Sequence, residues 1–107
     1  MFMAQWDVYT NPSGRMRELL PYVVVLQSDL LDWLGTRLVA PLARGVPPPS
    51  RIAARLSPRV EVEGETLTLV VHESAPVDAR MLRSPVATLR ADAHRIVDAL
   101  DAVVSGV

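Results

Sequence analysis

The chain has 107 residues, with 11 basic and 12 acidic side chains, a formal charge of −1 and no cysteine. That length predicts one domain over residues 1–107, able to bury roughly 60–70% of the surface its unfolded chain exposes. Disulfides, thiolate nucleophiles and cysteine metal sites are excluded, lysine chemistry is excluded because every basic residue is arginine, and the near-neutral charge argues against nucleic-acid binding driven by bulk electrostatics.

The N-terminal residues MFMAQWDV lack the basic start and long apolar stretch of a signal peptide. The longest apolar run, 19–26, is interrupted by Pro21 and falls short of the ~20 residues a membrane span needs. A soluble cytoplasmic protein with no membrane partner is the expectation.

Residues 6–10 (WDVYT) are β-branched and aromatic and predict a short strand. Asn11-Pro12-Ser13-Gly14 is a turn signature. Residues 22–27 (YVVVLQ) predict a strand buried on both faces, broken by Ser28-Asp29, with a connection over 30–35. Residues 36–42 (TRLVAPL) predict another strand, and Pro41 within it predicts an edge position or a bulge. The triproline at 47–49 predicts a stiff surface loop, and residues 51–56 a helical turn presenting two arginines.

The second half reads as a β-meander. Residues 58–62 and 66–72 alternate polar with apolar around Glu63-Gly64-Glu65, the pattern of a hairpin. Residues 73–78 hold Pro76 and are expected to end that strand. Ser84-Pro85 predicts a helix start. Beyond it Leu89, Ala93, Ile96, Val97, Leu100, Val103 and Val104 recur at helical spacing against Arg90, Asp92, Arg95, Asp98 and Asp101. Gly106 is the expected stop. The order of elements suits a small antiparallel barrel or curled sheet with a packed terminal helix.

Chemistry-bearing residues are sparse. His72 and His94, with no cysteine partners, make a poor metal site. Asp29 and Asp32 follow a strand, where aspartate caps turns, and Ser28 lacks a nucleophile elbow. Arg37, Arg44, Arg51, Arg55 and Arg59 read either as surface solvation or as a phosphate-binding patch. Val103, Val104 and Val107 read equally as core or as a partner surface. No catalytic residue, metal or cofactor is expected.

The residues also carry a resemblance. Val8-Tyr9-Thr10, the block Gln27-Ser28-Asp29-Leu30-Leu31-Asp32, Pro41-Leu42-Ala43, Arg55-Leu56-Ser57-Pro58 and a helix leading into Gly106 and an aliphatic last residue occur in order. Together they resemble the CcdB family of plasmid and chromosomal toxins across nearly the whole chain. The resemblance implies the fold of CcdB and the MazF/Kid toxins: mainly β, an SH3-like antiparallel β-barrel with a small accessory sheet and a C-terminal α-helix, forming a homodimer. It implies a toxin of a type II toxin–antitoxin pair, linked to plasmid maintenance. Such a toxin binds the A subunit of DNA gyrase, traps the cleaved complex, and is neutralised by a CcdA-like antitoxin. It is a topoisomerase inhibitor and not an enzyme, without sequence-specific nucleic-acid binding of its own.

Carried over by position, the gyrase-binding residues are Leu30, Leu31, Asp101, Val104, Ser105, Gly106 and Val107. The family ends in Trp-Gly-Ile; here Ser105-Gly106-Val107 keeps the glycine and loses the tryptophan. Loss of such an anchor costs about 2–4 kcal/mol of binding, which predicts a weakened poison. Trp33 departs from the family. Two other readings stand beside this one: a non-toxic, antitoxin-binding relative, and a MazF-like endoribonuclease using Arg37, Arg44 or Arg51.

Overall fold

The computed structural model describes residues 4–45 and 55–106. Its strands are β1 (Asp7–Thr10), β2 (Tyr22–Val25), β3 (Thr36–Ala43), β4 (Arg59–Val62), β5 (Glu65–Leu69), β6 (Ala75–Asp78) and β7 (Ala87–Thr88), followed by one helix, α1 (Ala93–Ser105). The strands join in the order β4-β5-β3-β2-β1-β7, every pairing antiparallel, with β6 branching from β3. The result is a mostly-sheet, nearly closed barrel with a C-terminal helix, the fold class the sequence suggests.

β2 is buried on both faces as expected, because each face meets its own cluster. Val24 joins Val8, Leu42, Leu67 and Leu69 in the main core, together with Ile96 and Ala99 of α1. Val23 and Val25 join Tyr9, Val39 and Leu82 in a second cluster, beneath the β6 side of the sheet. The main core draws on both sheet margins, Val60 and Val62 of β4 and Ala87 of β7, so the helix packs where the barrel comes closest to closing.

The predicted hairpin is present with a two-residue loop. Val62 pairs with Glu65, and Glu63 and Gly64 both take positive φ, 54° and 79°, the backbone of the tight turn whose twist matches the flanking strands. Gly106 stops α1 in the left-handed conformation, φ 75°, its N–H donating to the Ala102 carbonyl at 2.9 Å.

Several expectations are corrected. Pro41 lies in an interior strand, for β3 pairs with β2 on one side and with β6 and then β5 on the other. The Leu38 carbonyl accepts from Leu26 in the β2 direction, whereas the Pro41 carbonyl accepts from Val70. By the alternation of a strand, the missing N–H of Pro41 faces the side where β6 has ended at Val39 and β5 begins at Leu42. Pro41 is tolerated where the strand changes partners.

The strand predicted over 66–72 ends at Leu69, and a 3₁₀ turn, Val71–Glu73, follows. The meander stops there. Ala75–Asp78 forms β6 on β3, with Pro76 opposite Leu38. As a margin strand, β6 accommodates a proline whose nitrogen faces away from the ladder.

Ser84-Pro85 does not start the helix. Residues 87–88 pair with β1 instead, flanked by Val86 N–H donating to the Val8 carbonyl and Leu89 N–H to the Trp6 carbonyl, and α1 begins at Ala93. Within α1 the buried residues are Ile96, Ala99 and Ala102, while Val97, Val103 and Val104 are exposed. The triproline 47–49 and residues 51–54 of the expected helical turn lie outside the described residues.

Candidate functional site

The carried-over residues fall on two elements. Leu30 and Leu31 sit on a 3₁₀ turn, Asp29–Leu31, after β2. Ser28 caps it, its Oγ accepting from Leu30 N at 3.2 Å. Asp29 Oδ1 accepts from Gln5 N at 2.7 Å. Gln27 Nε2 donates to the Leu31 carbonyl at 3.1 Å, and its Oε1 accepts from Leu38 N at 3.1 Å. Ser28 therefore acts in turn geometry, whereas the Asp29 carboxylate ties the turn to Gln5 at the start of the described chain and does not cap it.

Arg37 secures the same turn from behind. Only 4% exposed, it donates to the carbonyls of Asp32 at 2.6 Å, Leu34 at 2.5 Å and Thr36 at 2.9 Å. The sequence places Arg37 in an arginine patch, but its burial removes it from one. A buried guanidinium needs its donors filled; backbone carbonyls take its two terminal nitrogens, while its Nε has no hydrogen-bond partner among the described residues.

The second element is the end of α1. Asp101, Val104 and Ser105 line a groove of about 500 Å³ with Arg55 and Asp98. Val104 is 84% exposed, and Ser105 Oγ donates to the Asp101 carbonyl at 2.6 Å, tightening the last turn. Arg55 grips Asp98 in a two-pronged pair, 3.1 and 3.2 Å. That contact raises the Arg55 guanidinium's pKa and lowers that of the Asp98 carboxyl. Arg55 and Asp98 belong to the groove, although their positions in an arginine cluster and on a polar helix face do not announce it. Among the described residues, no hydrogen bond or ion pair joins the helix end to the Leu30–Leu31 turn. Val107 lies outside the described residues.

The other candidates resolve as structure. Arg44 pairs with Glu65, Nε to Oε2 at 2.5 Å, and donates to the Glu18 carbonyl at 2.9 Å. With Arg37 committed to carbonyls, two of the three arginines named for the endoribonuclease reading are engaged within the fold; Arg51 lies outside the described residues. His72 is exposed on the 3₁₀ turn that buries Val71, and His94 lies on the exposed face of α1. Among the described residues, no cluster of three or more histidine or acidic side chains has the arrangement to hold a metal. Among the described residues, no helix is long and apolar enough to cross a membrane.

These features define a small antiparallel barrel carrying one terminal helix, with exposed apolar side chains on a fixed turn and at the helix end. The family is given by comparison with protein-family models: the one described as CcdB protein matches residues 5–106, and the chain belongs to the CcdB family. Membership of that family supports a function of the toxin kind in toxin–antitoxin systems. No curated protein matches the sequence.

Proposed function

We propose that this chain, acting as a single domain over 1–107 and as a cytoplasmic homodimer, binds the A subunit of DNA gyrase. Its contact surface is Leu30, Leu31, Asp101, Val104, Ser105, Gly106 and Val107. It traps the cleaved gyrase–DNA complex weakly, because Ser105 stands where the family has an aromatic anchor, and a CcdA-like antitoxin neutralises it. The observation that carries this reading is Val104. An aliphatic side chain held 84% in solvent on the last turn of a well-stopped helix contributes nothing to the core, and it lines a groove together with Asp101 and Ser105 of the same surface.

The test is a gyrase cleavage assay, in which protein is added to gyrase, supercoiled DNA and ATP and linear DNA is scored after detergent and protease. Wild type is expected to give little linear DNA and Ser105→Trp substantially more. Absence of linear DNA with both proteins refutes the gyrase reading and favours a non-toxic, antitoxin-binding relative. RNA cleavage by the pure protein favours the ribonuclease.

A further inference from the structure

Two arginine ties run in opposite directions between α1 and the segment 55–59 that leads into β4. Arg55 holds Asp98 of the helix, Nε to Oδ2 at 3.1 Å and Nη2 to Oδ1 at 3.2 Å. Nη2 of Arg95, on the helix, donates to the Arg59 carbonyl. The residues of both ties line one groove of about 700 Å³, together with Ser57 and His94. That volume is within the range of small-molecule sites, about 300–1,000 Å³.

The groove is cationic. Three arginines and a single carboxylate line it, and Arg55 takes that carboxylate. Arg59 forms no ion pair among the described residues, and the partner of Arg95, Asp92 at 3.4 Å, does not line the groove. Two guanidinium groups are thus left with no lining carboxylate to neutralise them. The Ser57 hydroxyl and the His94 ring add further donors. Arginine forks beside a hydroxyl suit the oxygens of a phosphate group.

Carboxylates bound this patch on either side. An adjoining groove shares Arg59 and Arg95 but is also lined by Glu61 and Asp92. The helix-end groove shares Arg55 and Asp98 and adds Asp101. A strand of nucleic acid leaving the patch meets like charge in both directions, which is costly, whereas a compact anion stays within it.

We propose that this groove binds a phosphate group, free or as the head of a small phosphate monoester, through Arg59 and Arg95 with Ser57. Of the arginines that suggest a phosphate patch in the sequence, Arg37 and Arg44 are engaged within the fold, while Arg59 is joined in the groove by Arg95, some thirty-six positions away. The site does not depend on the gyrase reading.

The test is a titration of the full chain, followed by the backbone amide signals in nuclear magnetic resonance, with inorganic phosphate, ribose 5-phosphate, a single-stranded oligonucleotide, and potassium chloride at matched ionic strength. Phosphate is expected to give saturable shifts at residues 55–59 and 92–98 that chloride does not reproduce. Tighter binding of ribose 5-phosphate assigns a phosphate monoester; equal or weaker binding assigns free phosphate. Arg59→Gln is expected to weaken binding about tenfold. Arg83→Gln, which removes an exposed arginine outside the groove, is expected to leave it unchanged. Asp98→Asn removes the groove's carboxylate and frees Arg55, so it is expected to strengthen binding, on the order of threefold. A gain of this kind cannot come from unfolding.

Shifts that do not saturate, or that chloride reproduces, overturn the proposal. So do equal losses for Arg59→Gln and Arg83→Gln, or weaker binding by Asp98→Asn. An oligonucleotide that binds the same amides more tightly than either phosphate compound overturns the compact ligand and assigns the patch to nucleic acid.

Discussion

Ile96→Ala should destabilise the protein far more than Val104→Ala, although both residues lie on the apolar stripe that helical spacing draws along α1. Ile96 is fully buried and packs among the barrel's main-core residues, whereas Val104 is 84% exposed. Truncating a fully buried isoleucine removes its transfer free energy and leaves a cavity the surroundings only partly fill, about 2–5 kcal/mol together. For a domain of this length, each 1 kcal/mol lowers the melting temperature by about 4–8 °C. Taking about 3 kcal/mol, Ile96→Ala should melt on the order of 12–24 °C below wild type. An exposed truncation lies within about 0.5 kcal/mol, so Val104→Ala should stay within about 4 °C. The assay is thermal unfolding followed by circular dichroism at one fixed protein concentration, since self-association alone shifts the midpoint. Equal losses for the two variants would refute the assignment of the helix's buried face, and with it the claim that Val104 is available to a partner.

Two further outcomes follow from particular groups. Gly64→Ala should cost about 1–2 kcal/mol of stability in denaturant unfolding; a Cβ there meets no atom within 4 Å, so the penalty comes from the positive φ of 79° alone. Arg80, through a side-chain hydrogen bond, holds the Asp78 carboxyl well below its ordinary 3.8, at about 2. A lowered folded-state pKa contributes stability above the unfolded value that is lost as pH falls through the folded one. Thermal melts from pH 5 to 2 should therefore decline less steeply for Asp78→Asn than for wild type.

Local chemistry marked the elements that depend on local rules. The Glu63-Gly64 turn, the Gly106 stop and the doubly buried β2 follow from glycine's freedom at positive φ and from continuous β-branched runs. Elements defined by distant partners were not legible. Residues 75–78 and 87–88 are strands because β3 and β1 offer them unpaired margins, and nothing in APVD or AT announces that. Pro41 misled for the same reason, since a proline's acceptability depends on which neighbour faces its nitrogen. In the candidate site, the turn at 28–31 was legible from Ser28 and Asp29. The role of Arg37 was not, because spacing cannot distinguish an arginine turned inward to carbonyls from one turned outward to solvent. Helical spacing likewise placed Val97 and Val104 with Ile96, when alanines at 99 and 102 complete the buried stripe.

The pairing of β1 with β7 sets the order in which this protein can be made. Asp7 meets Thr88 and Val8 meets Ala87, so the first strand waits for a partner about eighty positions downstream. Loop closure over that distance comes before any contact that rewards it, which slows folding. During synthesis at about 5–20 residues per second, the ribosome delivers that partner several seconds after β1. Until then the β1 margin stays unpaired, and the helix end, which follows β7 in the chain, is not yet available. A translation product cut short before residue 87 has neither β7 to close the β1 margin nor the helix end that forms part of the surface proposed for gyrase.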